Sequence, residues 1–213
     1  VSFSLRGKLD PADWRNSPAQ LYLSLPQSDW AKRLPPALLA GWQVDRFKAG
    51  GELWAALEAG QLQHVVARLN APELAAAAAG RPLVEVQDLA VTAYLDRHPQ
   101  GYDLRLESLA LSLGQQRFGP MQLALQQRQQ AAATGQVWQV QADRLDLAPL
   151  TTLALSLAPA APVVDAWLVG LKPHGQLSNL QVSLDTAKSS PDRLQFAANL
   201  TALGVSPYNN VPG

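Results

Sequence analysis

One stretch of the chain, from Val84 to Leu113, limits most strongly the folds that are open to it. Its first arm carries an apolar side chain at every second position, and the segment HPQG at 98–101 separates this arm from a second one. Side chains alternate between the two faces of a β-strand, so the pattern predicts two long antiparallel strands joined by a turn. The apolar positions of the first arm are Leu89, Val91, Ala93 and Leu95.

The second arm changes phase half-way along its length. Its apolar positions are first Tyr102, Leu104 and Leu106, and then Leu109, Leu111 and Leu113. A β-bulge adds one residue to a strand and so reverses which side chains point to a given face. We therefore predict a β-bulge near Glu107 and Ser108, where the strand bends.

The same alternation recurs along most of the chain. The predicted strands outside the central hairpin are 2–9, 21–25, 42–57, 62–69, 121–125, 137–147, 177–184 and 194–200, with a bulge at 50–51. Runs of this kind, separated by turn residues, are typical of antiparallel sheets. The chain is therefore predicted to be mainly β: a long, twisted antiparallel sheet with a few short helices.

Helices are predicted in two regions. Apolar residues at helical spacing, separated by prolines, predict short helices at Leu150 to Leu157 and Val163 to Leu171. A third helix is expected from about Trp30 to Leu39, because Ser28 or Asp29 can cap its start.

Two further segments have less regular patterns. The alanine-rich segment 72–80 is too short between its flanking prolines to form an independent helix, so we expect an irregular or strand conformation. Residues 126–136 are rich in glutamine and small residues and are predicted to form a loose loop.

The chain is expected to be a single elongated β-rich segment, 1–213, of a larger protein. It starts at Val1 without a signal segment and stops shortly after a strand-like run. The helical region near 148–174 is the one candidate for an internal boundary. The chain also has no apolar stretch of the roughly 20 residues that span a bilayer.

Charge and composition exclude several functions. The chain carries 17 Lys and Arg against 17 Asp and Glu, with neither sign in a run, so no nucleic-acid partner is expected. It contains no cysteine, and its three histidines stand in separate segments without metal-ligand spacing. No nucleophile elbow, phosphate loop or dinucleotide motif is present, so we expect neither an enzyme nor a metal or nucleotide cofactor.

The tryptophans raise one alternative. Six of them could form a platform that stacks on sugars, although scattered tryptophans more often serve packing. They are Trp14, Trp30, Trp42, Trp54, Trp138 and Trp167. A carbohydrate-binding β domain therefore stays a minor alternative.

Several phrases of the sequence resemble the central region of YhdP-type proteins of the AsmA-like superfamily. They are SFSLRGKLDPADW, LYLSLPQSDWAKRLP, GGELWAALEAGQLQHVVARLNAPEL, DLAVTAYLDRHPQGYDLRLESLALSLG, WQVQADRLDLAPL and LKPHGQLSNLQVSLD. The resemblance covers nearly the whole chain. It implies a curled, repeat-like sheet with an apolar groove, within a periplasmic protein anchored in the inner membrane.

The resemblance also implies a function and partners. Such a segment would hold phospholipid acyl chains during transport from the inner to the outer membrane, without catalytic residues. Its partners would be adjoining repeats of the same polypeptide and membrane-proximal proteins. The alternating pattern alone favours a different interpretation, a β-sandwich or a sheet-plus-helix domain with a structural or interaction role, in which the apolar face is core. The residues predicted to line a lipid groove are Leu89, Val91, Ala93, Leu95, Leu109, Leu111 and Leu113.

Overall fold

The computed structural model describes residues 2–7, 17–34, 39, 41–130, 135–189 and 191–207. The strands are β1 (Ser2–Gly7), β2 (Ala19–Asp29), β3 (Trp42–Glu58), β4 (Gln61–Ala78), β5 (Val84–His98), β6 (Gly101–Leu113), β7 (Gln116–Gln129), β8 (Gln136–Asp146), β9 (His174–Asp185) and β10 (Leu194–Gly204). The helices are α1 (Leu147–Leu157) and α2 (Pro162–Leu171). All ten strands form one sheet in sequence order, and each pairs antiparallel with its neighbours.

The predicted fold class is confirmed as mainly β, with one long antiparallel sheet and short helices. β5 and β6 form the predicted hairpin, in which His98 pairs with Gly101. The two helices between 150 and 171 are also confirmed, and they form an insert between β8 and β9, which pair directly. The curl of the sheet and the domain boundary stay predictions.

The helix predicted from Trp30 to Leu39 is wrong over its described part. β2 continues through Pro26 to Asp29, and a single turn follows, in which the amide of Leu34 donates to the carbonyl of Trp30. The strand tolerates Pro26 because the register shifts between Leu25 and Ser28, and a bulge needs no amide there. Residues 35–38 and 40 lie outside the described part.

The segment 72–80 is mostly strand, because β4 runs to Ala78. Small side chains fit between two neighbouring strands that carry longer ones. Ala75 pairs with Arg46 on one side and Glu85 on the other, and these two form an ion pair beside it. Ala75 is consequently only 1 % exposed although it lies on a charged face. The loop predicted at 126–136 is shorter than expected, since β7 continues to Gln129 and β8 begins at Gln136; residues 131–134 are outside the described part.

Bulges and other irregularities lie at a similar level in neighbouring strands. Asp88 in β5, Ser108 in β6, Gly119 in β7 and Asn179 in β9 all have positive φ. Register shifts accompany them between β5 and β6 and between β6 and β7, so the bulge predicted near Glu107 and Ser108 is confirmed. Each bulge reverses the alternation, so the apolar positions before and after it share one face.

Helix α1 covers the apolar face beyond this line of bulges. Val84, Val86 and Leu111 form the buried cluster of the core, and side chains of α1 pack against them. The surrounding apolar residues are Leu74, Leu89, Leu113, Phe118, Leu153 and Leu157. α1 contacts β4 and β5 as well as β8 and β9, so it lies across the strands.

Arg81, in the turn between β4 and β5, ties the helices to the sheet. Its guanidinium donates to both carboxylate oxygens of Asp165 in α2, at 2.8 and 3.0 Å. It also donates to the carbonyls of Ala158 and Pro159, which lie between the helices, at 3.2 and 2.9 Å. The Arg81 side chain is only 9 % exposed. These hydrogen bonds hold the pKa of Asp165 below its ordinary value of 3.8.

The bulge in β6 can be tested with glycine substitutions. A left-handed conformation costs a non-glycine residue about 1–2 kcal/mol, whereas glycine in an extended strand costs about 0.5–1 kcal/mol. Ser108→Gly should therefore stabilise the chain by roughly 0.5–1 kcal/mol. The matched change Ser183→Gly, in extended backbone of β9, should destabilise it by a similar amount. Urea unfolding measures both, and equal destabilisation would show that the bulge is absent.

The contact between Arg81 and the helices should make stability depend on pH. Because the pKa of Asp165 is lowered on folding, its contribution is present above pH 3.8 and is lost as pH falls through the lower folded pKa. Arg81→Met should lower the melting temperature near neutral pH, and the difference from the wild type should shrink on acidification. Arg117→Met, at an exposed position of β7, is the control and should change little at any pH. A difference that stays constant down to acid pH would contradict this role of Asp165.

Candidate functional site

An apolar surface crosses the whole sheet at right angles to its strands. Residues paired in an antiparallel sheet point to the same face, so their partners can be followed from strand to strand. One line of partners, which we name the first apolar row, consists of Leu5, Leu21, Ala55, Val65, Leu95, Leu104, Leu125, Val140, Val182 and Phe196. Every member is apolar. The row is therefore continuous from β1 to β10.

A second apolar row lies beside the first, two residues along each strand. It consists of Phe3, Leu23, Leu53, Ala67, Ala93, Leu106, Leu123, Ala142 and Leu180. It reaches from β1 to β9. Val91 and its partner Leu69 extend the same surface toward the line of bulges.

Much of this apolar surface stays accessible to solvent. Most members of the two rows are half-buried, and at the two edges Phe3 and Phe196 are 64 % and 62 % exposed. Among the described residues no large side chain is less than 2 % exposed. A β-sandwich requires a second sheet on this face, whereas the described residues form one sheet. The sandwich interpretation is therefore wrong for the described part of the chain.

The opposite face of the sheet is polar. The line of partners that begins at Arg6, which we name the polar row, consists of Arg6, Gln20, Ala56, His64, Asp96, Asp103, Gln126, Gln139, Ser183 and Gln195. Asp96 and Asp103 are direct neighbours, which would repel. His64 Nδ1 lies 2.6 Å from Asp96, and Arg128 Nη2 lies 2.6 Å from Asp103. Each carboxylate thus has a nitrogen partner of its own.

Aromatic side chains also gather on the polar face, near β1. The rings of Tyr22 and Trp54 lie 5.4 Å apart at an interplanar angle of 39°, and the Arg68 guanidinium lies 5.4 Å from the Trp54 ring centre. The Tyr22 hydroxyl donates to Glu52 at 2.9 Å. This hydrogen bond, together with burial, raises the pKa of Tyr22.

The tryptophans do not gather into one platform in the described part of the chain. Trp138 packs edge-on against Tyr102, the indole N–H of Trp30 donates to the Ala49 carbonyl, and Trp167 is 60 % exposed on α2. Trp14 lies outside the described residues. Among the described tryptophans, Trp54 alone stands beside another aromatic ring on the polar face.

The predicted groove residues fall into two zones. Ala93 and Leu95 belong to the apolar rows, and Val91 continues them, all half-buried. Leu109 is half-buried and pairs with Met121 at the line of bulges. The remaining three, Leu89, Leu111 and Leu113, pack in the cluster with α1. Contact of any of these residues with acyl chains stays a prediction.

Sequence reasoning missed the rows because it followed apolar residues along each strand and not across strands. The turns contain the information that identifies the rows, because a short turn determines which residues of its two strands pair. The HPQG turn fixes the register of its hairpin, so counting back from it pairs Leu95 with Leu104. The same counting from the turn at 59–60 would place Ala55 opposite His64, and a register shift between Ala56 and Leu57 moves its partner to Val65.

The described part of the chain shows neither a metal site nor a membrane span. It contains no group of three His, Cys, Asp or Glu side chains that could hold a metal ion. None of its helices is long and apolar enough to cross a membrane.

Two valines of β5 test the difference between the open and the covered zone. Val86 is 3 % exposed under α1, whereas Val91 is half-buried on the open surface. Val86→Asp buries an unpaired charge and should cost several kcal/mol. Val91→Asp should cost about 1 kcal/mol, because its carboxylate can reach water. Urea unfolding compares the two, and an equally large cost at both positions would show that the open surface is closed core.

Comparison with known proteins bears on the whole chain. No curated protein and no solved structure matches it. A family model described as "YhdP protein" matches residues 1–213 of this sequence. On this match the chain belongs to the YhdP family.

Proposed function

We propose that this chain is a segment of a periplasmic lipid-transfer protein and that its two apolar rows hold phospholipid acyl chains. The proposal rests mainly on the first apolar row, which passes through all ten strands without a polar residue. Membership of the YhdP family supports it, because the resemblance implies transport of phospholipid between the inner and outer membranes.

The direction of the rows suits movement of lipid across the strands. Ten strands have nine spacings of about 4.8 Å, so the first apolar row is about 43 Å long. An acyl chain that slides along it exchanges one apolar side chain for the next. A polar residue in the row would add a desolvation cost at that point, since a buried polar group without a partner is unfavourable. The uniform row therefore offers a path without large barriers.

The two faces of the sheet have complementary roles in this proposal. The apolar rows shield acyl chains from water, while the polar row faces solvent. Burial of apolar surface contributes about 25 cal/mol per Å², so even partial coverage of an acyl chain favours its binding. No step requires a catalytic group, and we propose a non-enzymatic role.

The edges of the sheet suit contact with adjoining repeats of the same polypeptide. β10 is an edge strand without charged or proline residues, and its Phe196 and Leu200 are 62 % and 57 % exposed. Edge strands of isolated proteins usually carry charges or prolines that block pairing. A further strand paired with β10 would satisfy its backbone and extend the apolar rows. The parent protein is proposed to be anchored in the inner membrane and to contact membrane-proximal proteins.

Photo-crosslinking in the full-length parent tests the proposal. A photoreactive residue at Ala93 should give phospholipid adducts, which mass spectrometry identifies. Two positions of the same strand are controls: Thr92 points to the polar face, because it pairs with Arg68 and Glu107, and Val86 lies under α1. Neither control should yield an adduct.

A functional assay complements the crosslinking. Ala93→Asp in the parent should reduce phospholipid transfer, because it places a charge in the second apolar row, whereas Thr92→Asp should not. Adducts at all three positions, or none at Ala93, would overturn the proposal. So would unchanged transfer in a stably folded Ala93→Asp variant.

A further inference from the structure

A depression of about 560 Å³ lies on the polar face, where β1 to β4 meet. Its floor is at Ala56, whose small side chain stands in the polar row between Gln20 and His64. Tyr22 and Trp54, which pair with each other across β2 and β3, form one wall of the depression. The volume falls in the usual range for small-molecule sites.

The rings of Tyr22 and Trp54 are supported by contacts on the side away from the depression. Along β3, Trp54 stands between Ala56 and Glu52, and Arg68 pairs with Glu52. Arg68 therefore approaches the Trp54 ring from the side away from the depression, at 5.4 Å. The hydrogen bond from Tyr22 to Glu52 orients the second ring from the same side. The other side of the aromatic pair faces the depression.

Polar groups that have no partner among the described residues surround this wall. The side chains of Arg6 and Gln20 line the depression and make no hydrogen bond within the described part of the chain. The indole N–H of Trp54 is also without an acceptor among the described residues. His64 is oriented by Asp96, which lies 2.6 Å from its Nδ1, so its Nε2 is left for another partner.

We propose that this depression binds a saccharide. A sugar ring has an apolar C–H face that stacks on aromatic rings, and a rim of hydroxyl groups that both donate and accept hydrogen bonds. The Tyr22 and Trp54 wall matches the first property, and the unpartnered groups of Gln20, His64 and Trp54 match the second. Arg6 adds a positive charge, which favours a sugar that carries a carboxylate.

An acyl chain fits this site poorly, because it would leave these polar groups without partners. The depression lies on the face opposite to the apolar rows. Leu21 and Ala55 of the first apolar row also border it, but their side chains point to the other face, because side chains alternate along a strand. The saccharide site is therefore separate from the proposed lipid path.

Calorimetric titration with two probes tests the site: the uncharged tri-N-acetylchitotriose and the acidic trigalacturonic acid. Wild-type protein should bind both at millimolar concentration, the acidic one more tightly. Trp54→Ala should weaken both by about tenfold. Arg6→Gln should weaken only the acidic probe, by about threefold or more. Gln20→Ala changes an exposed side chain and should weaken both probes without affecting the fold.

Tyr94→Ala is the matched control, because Tyr94 lies on the same polar face against Arg105 and outside the depression. Its affinities should stay within about twofold of the wild type. Val91→Asp, on the apolar face, should likewise leave saccharide binding unchanged. If neither probe binds the wild-type protein, the proposal is wrong. Equal losses of affinity in Tyr94→Ala and Trp54→Ala would also overturn it, as would unchanged affinity in a folded Gln20→Ala variant.

Discussion

The structure depends on the register of its cross-strand hydrogen bonds. A shift of one residue between two strands would exchange the two faces of every strand beyond it, because side chains alternate with a period of two. The first apolar row survives nine successive pairings only because each pair keeps its apolar residues opposite one another. Short turns enforce much of this register, as at His98 and Gly101, whose pairing closes the central hairpin. The apolar surface thus depends on the pairing of all the strands and is not formed by any single strand.

The bulges explain how the apolar face of one sheet comes to have two zones. Beyond Ser108 and Asp88 the alternation reverses, which brings Leu111 and Val86 onto the same face as Leu95. The reversal has a conformational cost, since these residues adopt positive φ, and asparagine, aspartate and glycine tolerate it best. Gly119 illustrates the close approach: a Cβ there would lie 2.3 Å from the carbonyl oxygen of Leu109. The line of bulges therefore divides the apolar face into a zone under α1 and a zone that none of the described elements covers.

Much of the fold was predictable because most signals were local. The HPQG turn, the phase change at Ser108 and the prolines around α1 and α2 each lie within a few residues of the structure they determine. The helix expected at Trp30 is wrong over its described part, because β2 extends to Asp29 and the turn that follows is attached to β3: the Trp30 amide donates to Phe47, and its indole donates to Ala49. The site was predictable only in part. Alternation identified Ala93 and Leu111 equally, and nothing in the local pattern says that α1 covers one of them.

The division of the face also explains how a sheet with an open apolar surface can be stable. Of the buried apolar residues many are alanines, which contribute little area, whereas Val84, Val86 and Leu111 lie together under α1. The insert between β8 and β9 returns across the strands, and Arg81 fixes its far end through Ala158 and Asp165. Compact packing is thus concentrated beyond the bulges. The open zone contributes less to the core. A ligand that contacts its side chains would therefore not disturb the packing that stabilises the fold.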